Sequence, residues 1–529
     1  MPTYDSTRSH PISSNNLFRA GSRFSLPWIL CTLVWTVAYS PGQTPVTTWH
    51  YNNARTSINL AEKILTPVNV SASTFGKLFT QPVDGFIVGQ PLYLPGVNIP
   101  NKGLHNVIYV ATMHDTVYAF DADSATAPVL WQTSLLTYSP AGATPVPVSV
   151  KGCGGTNAFT EVGVVSTPVI DRTTGSLYLV AETYENLKVA HRLHVLDVTT
   201  GLERAGSPVT ITASYTSNGA TYRFVDTRQM NRPGLLLANG HLYIAFGSPG
   251  CNGGDQGWVM SYLTSTLQQD GVFDDEPGGW FAAIWQKGAG ISIGPGGAVF
   301  VATGEGTFTA GTNLAISVFK LTQSPGKLTL ADWFSPYNWQ FLSDNDWDLN
   351  NAVVILPTQT GAHPYEAVAV GKQGTIYLLD RNNLGHLCST CTTTDTQIVQ
   401  ELAKAVRGTG TPVFWNHTLY FTGGSQVEAY TMNQGLLVTP PVISTFVAGG
   451  GHPILTANGT SNAILWNLGG GSVLWALDAS TLKVLYTSQQ AANGRDTVPP
   501  LAHFATAIEA DGKVFIGTRN SLAVYGMLP

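Results

Sequence analysis

Charge is scarce in this chain. Of 529 residues, 26 are Lys or Arg and 32 are Asp or Glu, so only 11% are charged. No basic run of the kind that tracks phosphates occurs, which argues against nucleic acid as a partner. Cysteine is sparse as well, at five residues. The C-x-x-C at Cys388–Cys391 has no second pair or His couple at zinc spacing, and it does not open a helix after a strand. Neither a zinc nor a redox reading therefore holds. Long apolar runs are missing, with one exception. Leu26 to Tyr39 follows Arg8, Arg19 and Arg23 and precedes Ser40-Pro41-Gly42. A positive region, about 14 apolar residues and then small residues read as a secretory signal within residues 1–40. The rival reading is an uncleaved N-terminal anchor. No other stretch is long and apolar enough to cross a membrane.

Loss of residues 1–40 would remove three Arg and Asp5 and leave a net charge of −8. That balance suits a soluble exported protein, secreted or periplasmic, and offers nothing to a polyanion. Cys31 leaves with the signal. Cys153, Cys251, Cys388 and Cys391 remain, an even number that predicts two disulfides. Cys388 and Cys391 pair locally in this reading, and Cys153 pairs with Cys251 across the second and third repeats.

What the chain has in abundance is glycine, 55 residues, and proline, 31. Such a composition belongs to strands and turns. The stretch Asn106 to Asp123, NVIYVATMHDTVYAFDAD, reads as two strands about a turn at His114-Asp115 and ends in an apolar-Asp step. Looser copies follow to the end of the chain. Phe120, Leu196, Tyr262, Phe319, Leu379, Tyr430, Leu477 and Tyr525 mark eight of them, 47 to 76 residues apart. Strand pairs repeating at this period predict an all-β, eight-bladed β-propeller of four-stranded antiparallel blades. A single twisted sheet cannot bury both faces, whereas blades packed in a ring cover one another. The last copy supplies only three strands, and Phe75–Val83 is a strand without a neighbour. It is expected to become the outer strand of the last blade and so close the ring. Pro82 is tolerable on such an edge. Residues 41–74 are then an extended arm to which no chemistry is assigned, and 75–529 are the propeller.

Loops at the mouth of the central channel hold the candidate chemistry. They offer Glu161, Arg228, Arg232, and the run SDNDWDLNN with Asp344, Asp346 and Asp348. His363, His452, Arg495-Asp496 and His503 are further polar residues there. Oxygen ligands at Glu161 and the Asp run suit a hard cation such as Ca2+, and an Asp beside it would take a proton from an alcohol. The competing reading makes the Asp run a turn-capping loop, has Arg228 and Arg232 form ion pairs or bond carbonyls, and makes His363 and His452, each before Pro, structural. Glycine runs such as 294–297 precede strands and are turn devices, not phosphate cradles.

The blade endings Ala119-Phe120-Asp121 with Trp131, and Trp475-Ala476-Leu477-Asp478 with Tyr486, resemble the docking motif of the quinoprotein alcohol dehydrogenase-like propellers. That eight-bladed superfamily includes enzymes using pyrroloquinoline quinone (PQQ). The stretch from Phe334 to Asp348 is similar to the family segment that enters the site and contains Trp-Asp. The resemblance implies catalytic roles for Asp346 and Asp348. From their place ahead of inner strands, Glu161 and Asp346 are the candidate metal ligands, and Arg228, Arg232 and Glu161 the candidate cofactor contacts, although the family's metal-binding Glu precedes a third-strand-like segment and Glu161 a first strand. The resemblance implies PQQ and Ca2+ as cofactors. Departures from the family stand beside it. No Cys-Cys pair and no C-x-x-C-H exist, and Thr303-Gly304-Glu305 replaces a Thr-Gly step followed by an Asn ligand. Three functions are therefore expected, in this order. The first is an exported binding or scaffold propeller with a degenerate cofactor site. The second is a PQQ- and Ca2+-dependent dehydrogenase of an alcohol or sugar. The third is a carbohydrate-binding propeller using Trp333, Trp339 and Trp347. The expected partner is a small molecule or glycan at the channel mouth, and the chain is expected to be a monomer.

Overall fold

The structure, a computed structural model, describes residues 43–529 apart from 152–158, 248–255, 282, 350, 407–409, 448 and 504. The expected leader and the Cys153–Cys251 pair lie outside the described residues. Cys388 and Cys391 form their disulfide, with Cα atoms 5.4 Å apart.

Eight larger sheets, the blades, carry the chain in order, beside two small hairpins among the described residues. Within each blade the propeller's own strands are antiparallel, and the arm strand Ile58–Asn59 joins blade seven in parallel. Blade one is Leu92–Ile99, Gly103–Ala111, Thr116–Asp121 and Trp131–Ser134. Blade eight joins Ala507–Ala510, Lys513–Gly517 and Ser521–Met527 to Phe75–Pro82 from the far end of the sequence. In that last pair Phe75 lies opposite Met527 and Pro82 opposite Ser521, so the two ends of the propeller share one sheet. The eight marker residues all fall in third strands and all are buried. The Asp that follows the marker has a local cause. Asp121, Asp197, Asp380 and Asp478 each accept the amide two residues on, capping the turn into the fourth strand.

Apolar clusters fill the spaces between neighbouring blades, and one of them joins Tyr93, Ile108 and Phe120 of blade one to Phe515, Leu522 and Val524 of blade eight. The ring is closed by packing as well as by strand pairing. The docking motif works between blades. Trp131 of blade one donates from Nε1 to the Val198 carbonyl of blade two at 3.0 Å. Gly201, with φ of 71°, lies so close to the Trp131 ring that a Cβ there would overlap it.

The arm differs from its expectation. It crosses the axis and bonds to every blade. Residues 46 and 93 exchange main-chain hydrogen bonds. The amides of Ile170, Ile293, Ile355, Phe414 and Leu455 donate to the carbonyls of Thr47, Asn53, Ala54, Thr56 and Ser57. Asn53 Nδ2 reaches the Leu237 carbonyl of blade three, and Tyr51 OH reaches the Glu509 carbonyl of blade eight. Seven of these blades are met at the second residue of the innermost strand, and blade eight at the third. A channel lined by half-paired strands leaves main-chain groups unsatisfied, and the arm satisfies them.

At the other end of the arm a carboxyl pair fastens it. Glu509 is fully buried, accepts from Asn59 Nδ2 at 2.7 Å and the Gly512 amide at 3.0 Å, and is hydrogen-bonded to Glu62. Glu62 also accepts from the Leu65 and Gly512 amides. Burial first, then the bond to Glu62 and its charge, push the Glu509 carboxyl well above its ordinary value of 4.5. Because the folded value is raised, the stabilisation is complete below about 4.5 and is lost as pH rises through the folded value. Glu509→Gln keeps a donor without the titration. Melting temperatures of the two proteins should diverge as pH rises, with the wild type losing more; parallel curves would exclude the Glu509 carboxyl proton as an anchor.

Candidate active site

Strands alternate direction within a blade. The connections between blades and the hairpins between second and third strands therefore open at the same end of the ring. Glu305 and Lys372 lie in such hairpins of blades four and five, and Lys287, Asp346 and Asp348 lie in connections into those blades. Arg232, His452 and His503 lie in the connections into blades three, seven and eight.

Three of these residues converge. One carboxylate oxygen each from Glu305, Asp346 and Asp348 lie within 4.8 Å of one another. The Glu305 amide donates to Asp348 Oδ1 at 2.9 Å, and the Lys372 amide donates to the Asp348 carbonyl at 2.9 Å. These bonds fix the blade four hairpin and the blade five hairpin to the loop between them. Lys372 Nζ sits 2.6 Å from Asp348 Oδ2 and also pairs with Asp346. Gly304 leaves room for this approach, since a Cβ there would press on Asp348 Oδ1.

Burial pushes the Glu305 carboxyl up to about 9, helped by its hydrogen bond to Asp348 and the charges of Asp348 and Asp346. Burial alone would raise Asp348 as well. The hydrogen bond from Glu305 and the Lys372 ammonium outweigh it and hold Asp348 below the usual carboxylate range. At neutral pH Glu305 is thus the acid of the pair and Asp348 the carboxylate. Lys287 is pushed down to about 7 by burial and then by Lys372.

Around the axis from this group stand buried bases. Arg232 is 1% exposed and donates to the Val165 and His503 carbonyls at 3.4 and 3.3 Å, with its guanidinium carbon 5.9 Å from the centre of the Trp285 ring. Gly288, with φ of 86°, passes against that guanidinium where any side chain would overlap it. His452 accepts the Thr411 amide on Nδ1, and burial followed by Lys287 and Arg232 pushes it down to about 3. It is a neutral ring. His50 of the arm lies beneath, stacked on Trp49 at 3.5 Å and 6.0 Å from His452. The arm is the floor of the site. A cavity of about 370 Å3 opens beside these residues, between the glycine turns at 449–451 and 469–471, and is bounded by Ser472, His503 and Arg519. The second turn is a tight hairpin with positive φ at Gly471 and Ser472.

Solved structures share this architecture. The quinohemoprotein alcohol dehydrogenase from Comamonas testosteroni superimposes with a TM-score of 0.60 at 13% identity, over 91% of this chain and 80% of that one. A europium-containing methanol dehydrogenase gives 0.61 at 13% identity, over 92% and 98%. The fold is that of the quinoprotein alcohol dehydrogenases. A third such enzyme, quinohemoprotein alcohol dehydrogenase ADHIIG from Pseudomonas putida HK5, gives 0.59 at 12% identity, over 92% and 80%. No protein-family model matches the chain, and no curated protein is similar to it in sequence.

Within this quinoprotein dehydrogenase fold the expected residues separate into groups. Asp346 and Asp348 come together, and Arg232 lies on the same axis. Glu161 does not join them. It follows blade one, pairs by strand with Pro147, and accepts or shares a hydrogen bond with His114 Nδ1 at 2.9 Å. Arg228 sits in a 3-10 turn ahead of blade three, beside a different cavity. Trp333 is not an exposed platform for a glycan, being 9% exposed and stacked on His386 at 4.8 Å. Trp339 packs on Phe308 and Trp347 on Phe341. The residues missed in the sequence are Lys372 and Lys287, together with His50 and Arg55 of the arm. Glu305 stood out only as a departure from the family, at the very position where the fold places the third carboxylate.

Proposed function

We propose that the chain is a quinone-dependent dehydrogenase of an alcohol or sugar, with a hard cation held by Glu305, Asp346 and Asp348. The convergence of these three carboxylates at the channel mouth carries the reading. Carboxylate oxygens alone, from a blade four hairpin and the loop into blade five, suit a hard cation, and one of the similar structures is described as containing europium. Lys372 neutralises the two aspartates in this arrangement, and an incoming cation would take over that role. The groups present also fit an anionic quinone such as PQQ. Arg232 supplies positive charge, Trp285 an aromatic face, and the glycine-lined cavity falls in the ~300–1,000 Å3 range of small-molecule sites.

Bound quinone would supply the two-electron acceptor. The chain's own residues do the rest. Asp348, ionised and braced by the Glu305 and Lys372 amides, is placed to accept the substrate hydroxyl proton. Glu305 holds a proton against Asp348 and orients it. The arm closes the axis beneath, so substrate enters and product leaves at one end. Export goes with this reading, because the Cys388–Cys391 disulfide belongs to an oxidising compartment.

The test adds PQQ with Ca2+ or Eu3+ to the purified protein, removes excess by gel filtration, and follows dye reduction with an alcohol panel. One retained quinone per chain and cation-dependent dye reduction are expected. A protein that emerges without quinone under both cations would overturn the proposal and leave a binding propeller.

A further inference from the structure

We infer that a second hard-cation site, suited to Ca2+, lies between blades five and six, with Glu366 and the main-chain carbonyls of Thr360 and His363 as its protein ligands. It does not rest on the dehydrogenase reading.

Residues 356–365 join the first two strands of blade five, Val354–Ile355 and Glu366–Val370. The turn at Gln434-Gly435 joins Gln426–Asn433 to Leu436–Leu437 in blade six. Connections of these two kinds open at the end of the ring away from Glu305, Asp346 and Asp348. Loop and turn touch with no side chain between them. A Cβ on Gly361 would overlap the Gln434 carbonyl. A Cβ on Gly435 would lie 2.6 Å from Glu366 Oε1, 3.3 Å from the His363 carbonyl oxygen and 3.4 Å from that of Thr360. One carboxylate and two carbonyl oxygens therefore face the same spot beside the turn. Among the described residues neither of those carbonyls accepts a hydrogen bond.

Glu366 is what points to a ligand. It has no exposed surface, and neither of its carboxylate oxygens has a hydrogen-bond partner. Buried carboxylates are paired, hydrogen-bonded or bound to metal. Arg381 acts on Glu366 only at a distance. Its guanidinium carbon lies 5.6 Å from the centre of the Tyr365 ring, and no hydrogen bond joins it to the carboxylate. The other charge nearby is negative. Asp380 stands directly opposite Glu366 in the strand pair, so the two side chains leave the sheet on one face. Asp380 is itself engaged, by the Asn382 amide at 2.8 Å and by His363 Nδ1 at 3.5 Å.

A buried carboxylate that faces only oxygens lacks a cation. Ca2+ accepts irregular sets of carboxylate, carbonyl and water oxygens at about 2.3–2.6 Å, whereas Mg2+ demands a near-octahedral set. Thr360 and His363 are exposed, so water can complete the shell. The rival occupant is a proton, since burial and then the Asp380 charge push the Glu366 carboxyl up to about 8. Filled by Ca2+, the site would clasp blade five to blade six beside the apolar cluster that joins Leu356 to Leu437.

Equilibrium dialysis against Ca2+ tests this on the full chain carrying Asp348→Asn, in which the channel-mouth carboxylates are weakened. That protein should still bind one Ca2+ per chain, and adding Glu366→Gln should weaken the binding at least tenfold. Melting in EDTA and in Ca2+ separates the cation from the proton. Ca2+ should raise the melting temperature of the Asp348→Asn protein and leave the double variant unmoved. Hydrogen exchange reads the site without the second substitution. Peptides spanning 356–366 and 434–438 should exchange at least threefold more slowly in Ca2+ than in EDTA. No bound Ca2+ in the Asp348→Asn protein, equal affinity or an equal melting shift after Glu366→Gln, or exchange indifferent to Ca2+ would each overturn the inference. Quinone retention, on which the dehydrogenase reading turns, is measured separately and is untouched by any of these results.

Discussion

Replacing Arg55 by Ala is expected to lower the unfolding free energy by about 3–5 kcal/mol, the largest stability loss of any single change considered. Arg55 has no exposed surface. Its guanidinium is solvated by main-chain oxygens instead of a carboxylate. Nε and Nη2 both donate to the Ile291 carbonyl, at 2.9 and 2.7 Å, and Nη2 also reaches Leu235 at 3.3 Å. Nη1 donates to the Trp49 carbonyl and Thr48 Oγ1, both at 2.8 Å. One side chain thus ties the arm to itself and to the innermost strands of blades three and four. Burial without an acid pushes its pKa down to about 9, which still leaves it charged at neutral pH. Ala would leave those carbonyls buried without donors. Gly290, which passes the guanidinium too closely to bear a side chain, would face a void. Lys offers a point charge in place of a fork and should recover only part of the loss. An unfolding entropy near 2.1 cal/mol/K per residue, over roughly 490 residues, converts the loss to only about 3–5 °C in Tm. Hydrogen exchange is the sharper readout. The amides of Ile170, Ile293, Ile355, Phe414 and Leu455, all bonded to the arm, should lose protection together. Unchanged protection at these five would show that the arm does not organise the axis.

The arm also shows where sequence reading stops. The eight blades were legible because their signals are side chains at fixed offsets, such as the marker residue, the turn-capping Asp, and Trp131 on its neighbour. The closing strand was legible from a shortage, since the last copy lacks a fourth strand and Phe75–Val83 lacks a partner. The arm binds six of the blades through main-chain groups, and such pairing leaves no trace in residue type. Trp49, His50 and Arg55 read as ordinary loop residues until the ring is built around them. Site residues failed in another way. Loop class tells which end of the propeller a residue occupies, and there Glu161, Arg228, Asp346 and Asp348 are alike. Position around the ring follows from blade number. It separates Glu161 and Arg228, beside blades two and three, from the aspartates between blades four and five. Glu305 belongs to blade four by the same logic. Its spacing from Asp348 in the chain gives no hint that its amide lies 2.9 Å from that carboxylate.

Asp348→Asn should reduce dye-coupled turnover by about 10²–10⁴-fold, the span associated with losing a positioned base. The substitution keeps shape and keeps an oxygen for the Glu305 amide. It removes the charge that Lys372 and Glu305 are arranged around. Lys372 would retain only Asp346, whose side chain is 70% exposed, and an exposed pair of that kind holds an ammonium weakly. A cation would face one carboxylate fewer, so Ca2+ affinity should fall in step with turnover. Glu305→Gln is the informative partner, because it retains a hydrogen-bond donor toward Asp348 and should cost less, about tenfold. Asp344 ends the short helix Trp339–Asp344 ahead of that loop and accepts from Gln340 Nε2 at the surface, and Asp344→Asn should behave as wild type in kcat/KM and in Ca2+ titration. The order Asp348, then Glu305, then Asp344 follows from burial and from the direction of each hydrogen bond, not from proximity alone. If Asp348→Asn turned over within threefold of wild type with the same Ca2+ affinity, the three carboxylates would be a structural clasp between blades four and five, and the base would have to be sought elsewhere on the ring.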